Sequence, residues 1–224
     1  MTLSIVAMCP RSGQFGIAAA TAMPAVGKLL THAAAGQGAI ATQARINPYL
    51  GIDGLDLLRR GLSADAVLAR LADGDPRYDL RQVAVVDRRG AAAVWTGPGC
   101  PAYSGAVTRD GFAAQGNRLE GPRVLEAMAA TFAAAPAHPL ARRLVDALAA
   151  GITAGGDRKE ERSATIYVVE EEAYPLWDIR VDEHSDPVAE LVRLHGVFAA
   201  QVVPQIRRMP TRAHPAGLPG EAVA

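Results

Sequence analysis

The sequence predicts an α+β protein, a four-layer α-β-β-α sandwich in which two antiparallel sheets are stacked and helices cover both outer faces. Three observations favour this fold class. Helices occur in pairs between sets of strands, which argues against a parallel sheet joined by single helices. Short turns between neighbouring strands are typical of antiparallel hairpins. Several strands are apolar at nearly every position, as expected for strands buried on both faces.

The N-terminal segment predicts a β-hairpin. Leu3–Met8 and Phe15–Thr21 are apolar runs of strand length, and a Pro-Arg-Ser-Gly turn at residues 10–13 joins them. Ala39–Ala44 is a third apolar strand, which follows a Gly-Gln-Gly sequence and ends shortly before an Asn-Pro turn.

Two helices are expected after this strand. The first is predicted by leucines at positions 55, 57, 58 and 62. Ser63 is expected to cap the second helix, and Asp65 lies in its first turn. The apolar face of that helix contains Val67, Leu68 and Leu71.

The middle of the chain predicts two further strand pairs. Gln82–Asp87 and Ala91–Thr96 are joined by an Arg-Arg-Gly turn at residues 88–90. Gly105–Thr108 and Phe112–Gln115 form the second pair.

A second helix pair and two last strands follow. Pro122 favours a helix start, since proline is preferred at the first helical position. Leucines at four-residue intervals (140, 144 and 148) predict the next helix, which Gly151 is expected to end. Ala164–Val169 and Trp177–Val181 are the last predicted strands.

The C-terminal part predicts one more helix and a tail. Asp186 is expected to cap this helix, with Pro187 at its first position. From Pro204 onward, prolines and glycines without periodicity predict a loose segment. The chain is therefore expected to form a single domain at residues 1–203 and a flexible tail at residues 204–224.

Composition and charge exclude several classes of protein. Lys plus Arg and Asp plus Glu both number 23, so neither a nucleic acid nor a membrane surface is an expected partner. The N-terminus does not read as a signal peptide, and no apolar run has membrane-spanning length. Because the chain has only two cysteines, a reduced cytoplasmic protein is expected. No cofactor or metal is expected, since phosphate-loop and metal-ligand spacings are missing.

Thr2 is the candidate nucleophile. A small second residue commonly permits removal of the initiator Met, which would leave Thr2 with both a hydroxyl and a free α-amine. A hydroxyl is a poor nucleophile until a base accepts its proton. An α-amine, with an ordinary pKa of about 7.7–8.0, is partly neutral near pH 7 and can be that base. Taken alone, Thr2 is more often simply the first residue of a strand.

Several longer segments carry a resemblance to known proteins: TLSIVAM, GQFGIAAATAMPAVG, GAIATQARINPYLG, GFAAQGNRLEGPRVLEAMAATF, AGGDRKEERSA and RVDEHSDPVAEL. Over roughly residues 2–195, they resemble a bacterial and archaeal family of uncharacterised proteins. That family is placed in the N-terminal-nucleophile (Ntn) hydrolase superfamily, which includes the proteasome β subunits. The resemblance implies the Ntn-hydrolase fold and Thr2 as nucleophile.

The chain departs from the proteasome pattern near the nucleophile. Proteasome-like relatives have an acidic residue and a lysine there, whereas this chain has Thr21 after its second strand and Thr42 and Gln43 in its third. These three residues are expected to line the site. Lys28 lies between the two strands, where it either reaches the site or is an exposed loop lysine, and an exposed lysine is expected. The missing lysine weakens the case for proteasome-like proteolysis more than the case for hydrolysis in general.

Gln115, Gly116 and Asn117 follow a strand and precede a helix. Glycine lets a ligand approach the backbone, and amide or backbone N–H groups there can stabilise an oxyanion. An ordinary turn into a helix explains the same residues. By the resemblance, Asp157 and Ser163 lie where proteasome-like chains support the N-terminal amine, and Asp157 can orient it through a charge-assisted hydrogen bond. A solvated Asp in a glycine loop is the alternative.

Other polar residues carry less weight. Asn47 recurs in the family's pattern and is a candidate pocket residue, although Asn-Pro also simply makes a turn. Asp182 and His184 share one face of a strand end. A hydrogen-bonded His184 is expected rather than a metal ligand, because no second ligand cluster has a recognisable spacing. Cys100 is expected to be a small buried thiol.

Two functions remain open. The first is a hydrolase that cleaves an amide bond of a small molecule or short peptide, with Thr2 attacking after Met1 is removed. The second is a catalytically inactive protein that uses the same fold for binding or assembly, which the missing lysine and acid favour. A homodimer is expected from the family type and the exposed helical layers.

Overall fold

The computed structural model describes residues 2–156 and 160–218. Its strands are β1 (Thr2–Met8), β2 (Phe15–Thr21), β3 (Thr31–Ala34), β4 (Gly38–Ala44), β5 (Arg81–Asp87), β6 (Ala92–Thr96), β7 (Gly105–Arg109), β8 (Phe112–Asn117), β9 (Ser163–Val169) and β10 (Trp177–Val181). Its α-helices are α1 (Tyr49–Arg59), α2 (Ala64–Gly74), α3 (Arg123–Ala134), α4 (Leu140–Thr153), α5 (Pro187–Gln201) and α6 (Val203–Ile206).

The strands form two antiparallel sheets. The six-stranded sheet has the order β10-β9-β2-β1-β8-β7, so the N-terminal strand β1 lies near its centre. The four-stranded sheet has the order β3-β4-β5-β6. The predicted hairpins β1–β2, β5–β6 and β7–β8 are all confirmed as antiparallel pairs.

Three apolar clusters show how the layers are stacked. One joins the six-stranded sheet to α3, α4 and α5, and its members include Ile5, Met128, Leu144 and Leu191. A second lies between the two sheets, and a third joins the four-stranded sheet to α1 and α2. The predicted α+β class with two antiparallel sheets is therefore confirmed, and the layers are consistent with a sandwich. The six-stranded sheet carries α5 in addition to the predicted helix pair.

Alternation along β1 decides which residues face the space between the sheets. Leu3 and Ile5 belong to the cluster under the helices, whereas Val6 belongs to the cluster between the sheets. Successive strand residues point to opposite faces. Thr2 and Ser4 therefore face the inter-sheet layer, and Thr2 lies at one end of it.

Helix starts follow local sequence closely, but one helix end does not. The side chains of Ser63 and Asp186 accept hydrogen bonds from Ala66 N and Ala189 N, so both predicted caps are confirmed. The predicted end of α4 at Gly151 is wrong, because the helix continues to Thr153. A Cβ at Gly151 would lie 2.7 Å from Met128 Cγ, so this glycine serves close packing rather than termination.

The short strand β3 was not predicted from the sequence. Its four residues, Thr-His-Ala-Ala, are only half-buried at the edge of the four-stranded sheet. A weakly apolar four-residue segment has too little periodicity to stand out from a loop. Its pairing with β4 is what makes it a strand.

The segment after α5 contacts the body of the protein at Arg207 and Pro210. Arg207 forms an ion pair with Glu170, and the Tyr174 hydroxyl donates to the carbonyl oxygen of Pro210. The domain boundary at residue 203 stays a prediction. Within residues 2–156 and 160–218, no helix is both long and apolar enough to cross a bilayer.

Candidate functional site

A row of polar side chains crosses the six-stranded sheet where β1 begins. Strand register places Thr2 beside Asn117 on one side and beside Thr21 on the other. Thr21 is paired in turn with Ser163 on β9. Paired residues of antiparallel strands point to the same face, so these four side chains share the inter-sheet face. Three of the four residues are buried below 5 % exposure, and Thr2 is 9 % exposed.

A second polar row faces the first from the four-stranded sheet. Gln43 on β4 is paired with Gln82 on β5, and Gln82 is paired with Thr96 on β6. Gln43 and Gln82 are essentially fully buried. Beyond Ser4 and Gln115, which lie two residues deeper, the layer between the sheets contains an apolar cluster. These described polar side chains therefore lie towards the end of the inter-sheet space that contains Thr2.

Gln82 connects the two rows. Its Oε1 accepts from Gln43 Nε2 at 2.8 Å and from Asn117 Nδ2 at 3.1 Å. Its Nε2 lies within hydrogen-bonding distance of the carbonyl oxygens of Gly116 and Gly105, at 2.9 and 3.1 Å. A fully hydrogen-bonded buried network holds its members in one arrangement. Gln82 therefore determines how Asn117 and Gln43 are oriented near Thr2.

The hydroxyl of Thr2 meets another hydroxyl. Its Oγ1 lies 3.1 Å from Thr21 Oγ1, and either atom can be the donor. The carbonyl oxygen of Thr2 accepts from Gln43 Nε2 at 3.4 Å. Both contacts restrain Thr2 without an ionisable side chain. Because neither contact supplies a base, the base for the Thr2 hydroxyl would have to be the α-amine of Thr2 itself, once this amine is free.

Asn117 takes part in the network through its side-chain amide nitrogen. Nδ2 donates to Gln82 Oε1 at 3.1 Å, which uses one of its two hydrogens. Its Oδ1 is an acceptor that can hold an ammonium or amine, and the second Nδ2 hydrogen can donate to an oxyanion.

Gln115 lies two residues deeper than Asn117. It is paired with Ser4, and its Nε2 donates to Ser4 Oγ at 3.3 Å and to the carbonyl oxygen of Ala41 at 3.1 Å. Gln115 is fully buried, and its Oε1 is the one buried side-chain polar atom without a partner in the described chain. The structure therefore brings Gln115 beside Ser4 rather than beside Thr2.

Gly116 and Ser163 support the site through the backbone. A Cβ at Gly116 would lie 2.6 Å from Leu119 Cδ1, so this glycine leaves room for that side chain. Ser163 Oγ donates to the carbonyl oxygen of Met23 at 2.6 Å and accepts from Val26 N at 3.0 Å. Ser163 therefore holds the loop that follows β2.

Thr42 and Asn47 lie away from the Thr2 row. Thr42 alternates with Gln43 and so faces the helices, where its hydroxyl donates to the carbonyl oxygen of Asn47 at 3.3 Å. Asn47 Nδ2 donates to Asp75 Oδ2 at 2.9 Å. The structure thus brings Thr21, Gln43 and Asn117 to Thr2, but it places Thr42 and Asn47 in a separate group.

Asp75 anchors that separate group. Arg81 Nε donates to Asp75 Oδ2 at 2.8 Å, and both side chains are nearly buried. Burial alone would raise the pKa of the Asp75 carboxyl, but hydrogen bonds from Arg81, Asn47 and the Arg77 N–H outweigh it and lower this pKa to about 2. The ionised carboxylate therefore joins the start of α1 to the start of β5.

We expect Asp75→Asn to weaken the fold in a pH-dependent way. A carboxyl whose pKa is depressed on folding stabilises the protein above its unfolded pKa, and this stabilisation is lost as pH falls through the folded value. The wild type should therefore lose about 2 kcal/mol of unfolding free energy between roughly pH 4 and pH 2, a loss missing in Asp75→Asn. Urea denaturation across pH measures this. Asp73→Asn, at an exposed position nearby, is the control. If the unfolding free energy of Asp75→Asn depended on pH in the same way as that of the wild type, the prediction would be wrong.

A pocket of about 430 Å³ opens beside the polar row. It is lined by Met23, Ala44, Arg45, Leu80, Gly99, Pro101, Asn117 and Arg118. Ala44 and Arg118 have φ angles of 66° and 56°, in the left-handed region that non-glycine residues rarely adopt. Such residues cluster at functional sites. This pocket is the candidate active-site cleft, because Asn117 joins it directly to Thr2.

A larger pocket lies elsewhere. It measures about 540 Å³ and contains Met8 and Cys9, at the opposite end of β1 from Thr2. A seven-residue strand spans about 20 Å between its ends. Size alone would select this pocket, but the nucleophile candidate and the polar rows are at the other end.

The remaining candidates have ordinary placements. Lys28 is exposed, as expected. His184 Nδ1 accepts from Asp186 N at 2.9 Å, which confirms a hydrogen-bonded histidine. Cys100 is a buried thiol, and burial raises its pKa. Met1 and Asp157 lie outside the described residues. Within the described ranges, no group of three or more His, Cys, Asp or Glu side chains is arranged to hold a metal.

Sequence reasoning missed Ser4, Gln82 and Thr96. Each is a polar residue within, or at the end of, an otherwise apolar strand. A polar residue at a strand position that must be buried requires a hydrogen-bond partner. That requirement is the signal that could have found them.

Comparison with known proteins supplies the family. The family model described as a family of unknown function (DUF1028) matches residues 2–191. A crystal structure of protein SPO2555 from Silicibacter pomeroyi, described with the same family model, is similar with a TM-score of 0.90 and 30 % sequence identity. The match covers 100 % of this chain and 97 % of that one. No curated protein matches this chain.

Proposed function

This chain belongs to the DUF1028 family, and we propose that, once Met1 is removed, it is an Ntn hydrolase that cleaves an amide bond of a small molecule or short peptide. The observation that carries the proposal is the position of Thr2. It is the first residue of a central strand, its side chain lies in a buried polar row, and that row opens into a pocket through Asn117.

The fold supports this proposal. A nucleophile at a chain terminus must be held in place by its neighbours, because a free terminus is otherwise mobile. Thr2 is held on both sides, by β2 and by β8. Two stacked sheets with an N-terminal strand near the centre of one are also what the Ntn-hydrolase fold requires.

The proposed reaction proceeds in two steps at Thr2. The free α-amine accepts the hydroxyl proton while Oγ1 attacks the amide carbonyl, and the amine then delivers this proton to the departing nitrogen. The C–N bond breaks and an ester to Thr2 remains. Water activated by the same amine then attacks the ester, so that the acid is released and the hydroxyl is restored.

Asn117 and Thr21 have positioning roles in this mechanism. Asn117 Oδ1 accepts a hydrogen from the α-amine and directs its lone pair, and Gln82 fixes this orientation by accepting from Nδ2. Thr21 Oγ1, at 3.1 Å, restrains the rotamer of Thr2.

A catalytically inactive protein used for binding or assembly is the second candidate. It is favoured by one observation: within the described chain, the hydrogen bonds of the Thr2 side chain involve no carboxylate, lysine or histidine. The two candidates make opposite predictions about the reactivity of Thr2.

We expect the protein, purified without an N-terminal tag, to lack Met1 and to be acylated once by a simple β-lactone. Thr2 Oγ1 forms an ester with the lactone carbonyl, the ring C–O bond breaks, and the hydroxyl proton passes through the amine to the ring oxygen. The mass increase therefore equals the whole lactone. Intact-mass spectrometry and peptide mapping measure both events. A retained Met1 would exclude the α-amine as base, and an unreactive processed protein would favour the inactive alternative.

A further inference from the structure

The charged residues that line the pocket beside Thr2 are all positive. Of its eight lining residues, Arg45 and Arg118 are charged, and no Asp or Glu lines it. The carboxylate of Asp79 lies behind Gly99 without lining the pocket. Both arginines are exposed, and neither guanidinium forms an ion pair with another residue of the described chain. Two arginines that form no ion pair within the described chain therefore line the cleft.

The backbone holds both arginines at the ends of strands. Arg45 follows Ala44, the last residue of β4, and Arg118 follows Asn117, the last residue of β8. The left-handed conformations of Ala44 and Arg118 turn the chain there, and non-glycine residues rarely adopt them. Both turns are tied down, because Arg45 N donates to the carbonyl oxygen of Leu80 and Arg118 N donates to that of Pro101.

We propose that the substrate of the Thr2 site is an amide that carries a carboxylate, which the guanidinium groups of Arg45 and Arg118 bind. This inference rests on the proposed function. A planar guanidinium matches a carboxylate in a two-pronged arrangement. Phosphate sites usually add a cradle of free backbone N–H groups, whereas the N–H groups of both arginines are already used.

The distance between the two parts of the site suits one small molecule. Asn117 lies in the strand position next to Thr2, and Arg118 is the following residue. Paired residues on neighbouring antiparallel strands are about 4.5–5.5 Å apart between Cα atoms. The register thus brings Arg118 near Thr2 along the chain, and the substrate that we propose has its carboxylate a few bonds from the amide that Thr2 attacks, as in an N-acyl amino acid or a short peptide's C-terminal end.

A matched pair of β-lactones tests this inference. One lactone has a side chain that ends in a carboxylate, and the other is its methyl ester. The rate of Thr2 acylation is followed by intact mass. For the wild type, we expect the carboxylate lactone to react at least 10-fold faster, because the methyl ester cannot form a charge-assisted hydrogen bond with a guanidinium.

Arginine variants test which side chains cause the preference for the carboxylate lactone. Arg45→Gln and Arg118→Gln should each lower the rate with the carboxylate lactone by about 10-fold to 100-fold and leave the methyl ester unchanged. Arg109→Gln, at an exposed position outside this pocket, should change neither rate. An unchanged rate with the methyl ester also shows that a variant is folded and that its Thr2 is intact.

The outcomes separate the two proposals. If neither lactone acylates processed protein at Thr2, the proposed function fails. If both lactones react equally and the arginine variants behave like wild type, the hydrolase proposal stands and the carboxylate preference is wrong. If the preference persists in both arginine variants, another cation binds the carboxylate, and this assignment is also wrong.

Discussion

Thr2→Ala is expected to lower β-lactone acylation, and turnover of any amide substrate found, by at least about 1,000-fold. Alanine retains the α-amine and the strand position but has no oxygen with which to form the ester. Removal of a nucleophile that acts together with its base has effects of this size, because the remaining groups cannot make the covalent intermediate. Alanine is also small enough for Met1 removal, so the processing step is preserved.

The matched control is Thr2→Ser, which keeps the hydroxyl and the amine. We expect this variant to be acylated at the same position. Its reaction shows whether the effect of Thr2→Ala comes from loss of the hydroxyl oxygen or from changed packing of the side chain. Thr2→Ala should cost only about 1 kcal/mol of stability, since within the described residues the hydroxyl makes one hydrogen bond, with Thr21. Equal acylation of Thr2→Ala and wild type would remove Thr2 from the mechanism.

Gln82→Leu is expected to damage both stability and the site. The fully buried amide accepts from Gln43 and Asn117 and donates to backbone carbonyl groups, including that of Gly116. Each buried partner left unsatisfied costs about 1–3 kcal/mol, so we expect a loss of about 3 kcal/mol or more in unfolding free energy. Asn117 and Gln43 also lose the group that orients them, so acylation of Thr2 should fall in protein that is still folded.

Gln14→Leu is the control for this change. Gln14 is nearly buried as well, but its amide makes one described side-chain contact, with Glu170, far from Thr2. We expect it to cost about 1 kcal/mol and to leave acylation unchanged. Urea denaturation and intact-mass kinetics on both variants provide the comparison. Similar losses in the two variants would show that Gln82 has no special role as the connecting residue.

Most of the strands and helices followed from local patterns. The strands Phe15–Thr21 and Trp177–Val181 have the predicted bounds, and most others differ by one or two residues at an end. Apolar periodicity and capping residues act over a few positions, so they are readable along the chain. The predicted end of α4 was wrong because Gly151 is required for close packing against Met128, a residue of another helix.

The candidate site was only partly predictable. Thr2 and Asn117 were singled out from the sequence, and register places them side by side. Gln82 was not, because a glutamine at the start of an apolar strand has no local meaning until its partners on other strands are known. Thr42 was expected with Gln43 at the site, but alternation along β4 turns it to the opposite face.

The sequence by itself therefore determined the class of fold, the strand at its start and the chemical possibility that Thr2 offers. Those properties depend on residues that are neighbours along the chain. Only the tertiary structure decided which polar groups meet Thr2, which amide hydrogens are already used, and which arginines face the cleft. These depend on strand register and sheet stacking, where a shift of one residue turns every side chain to the other face.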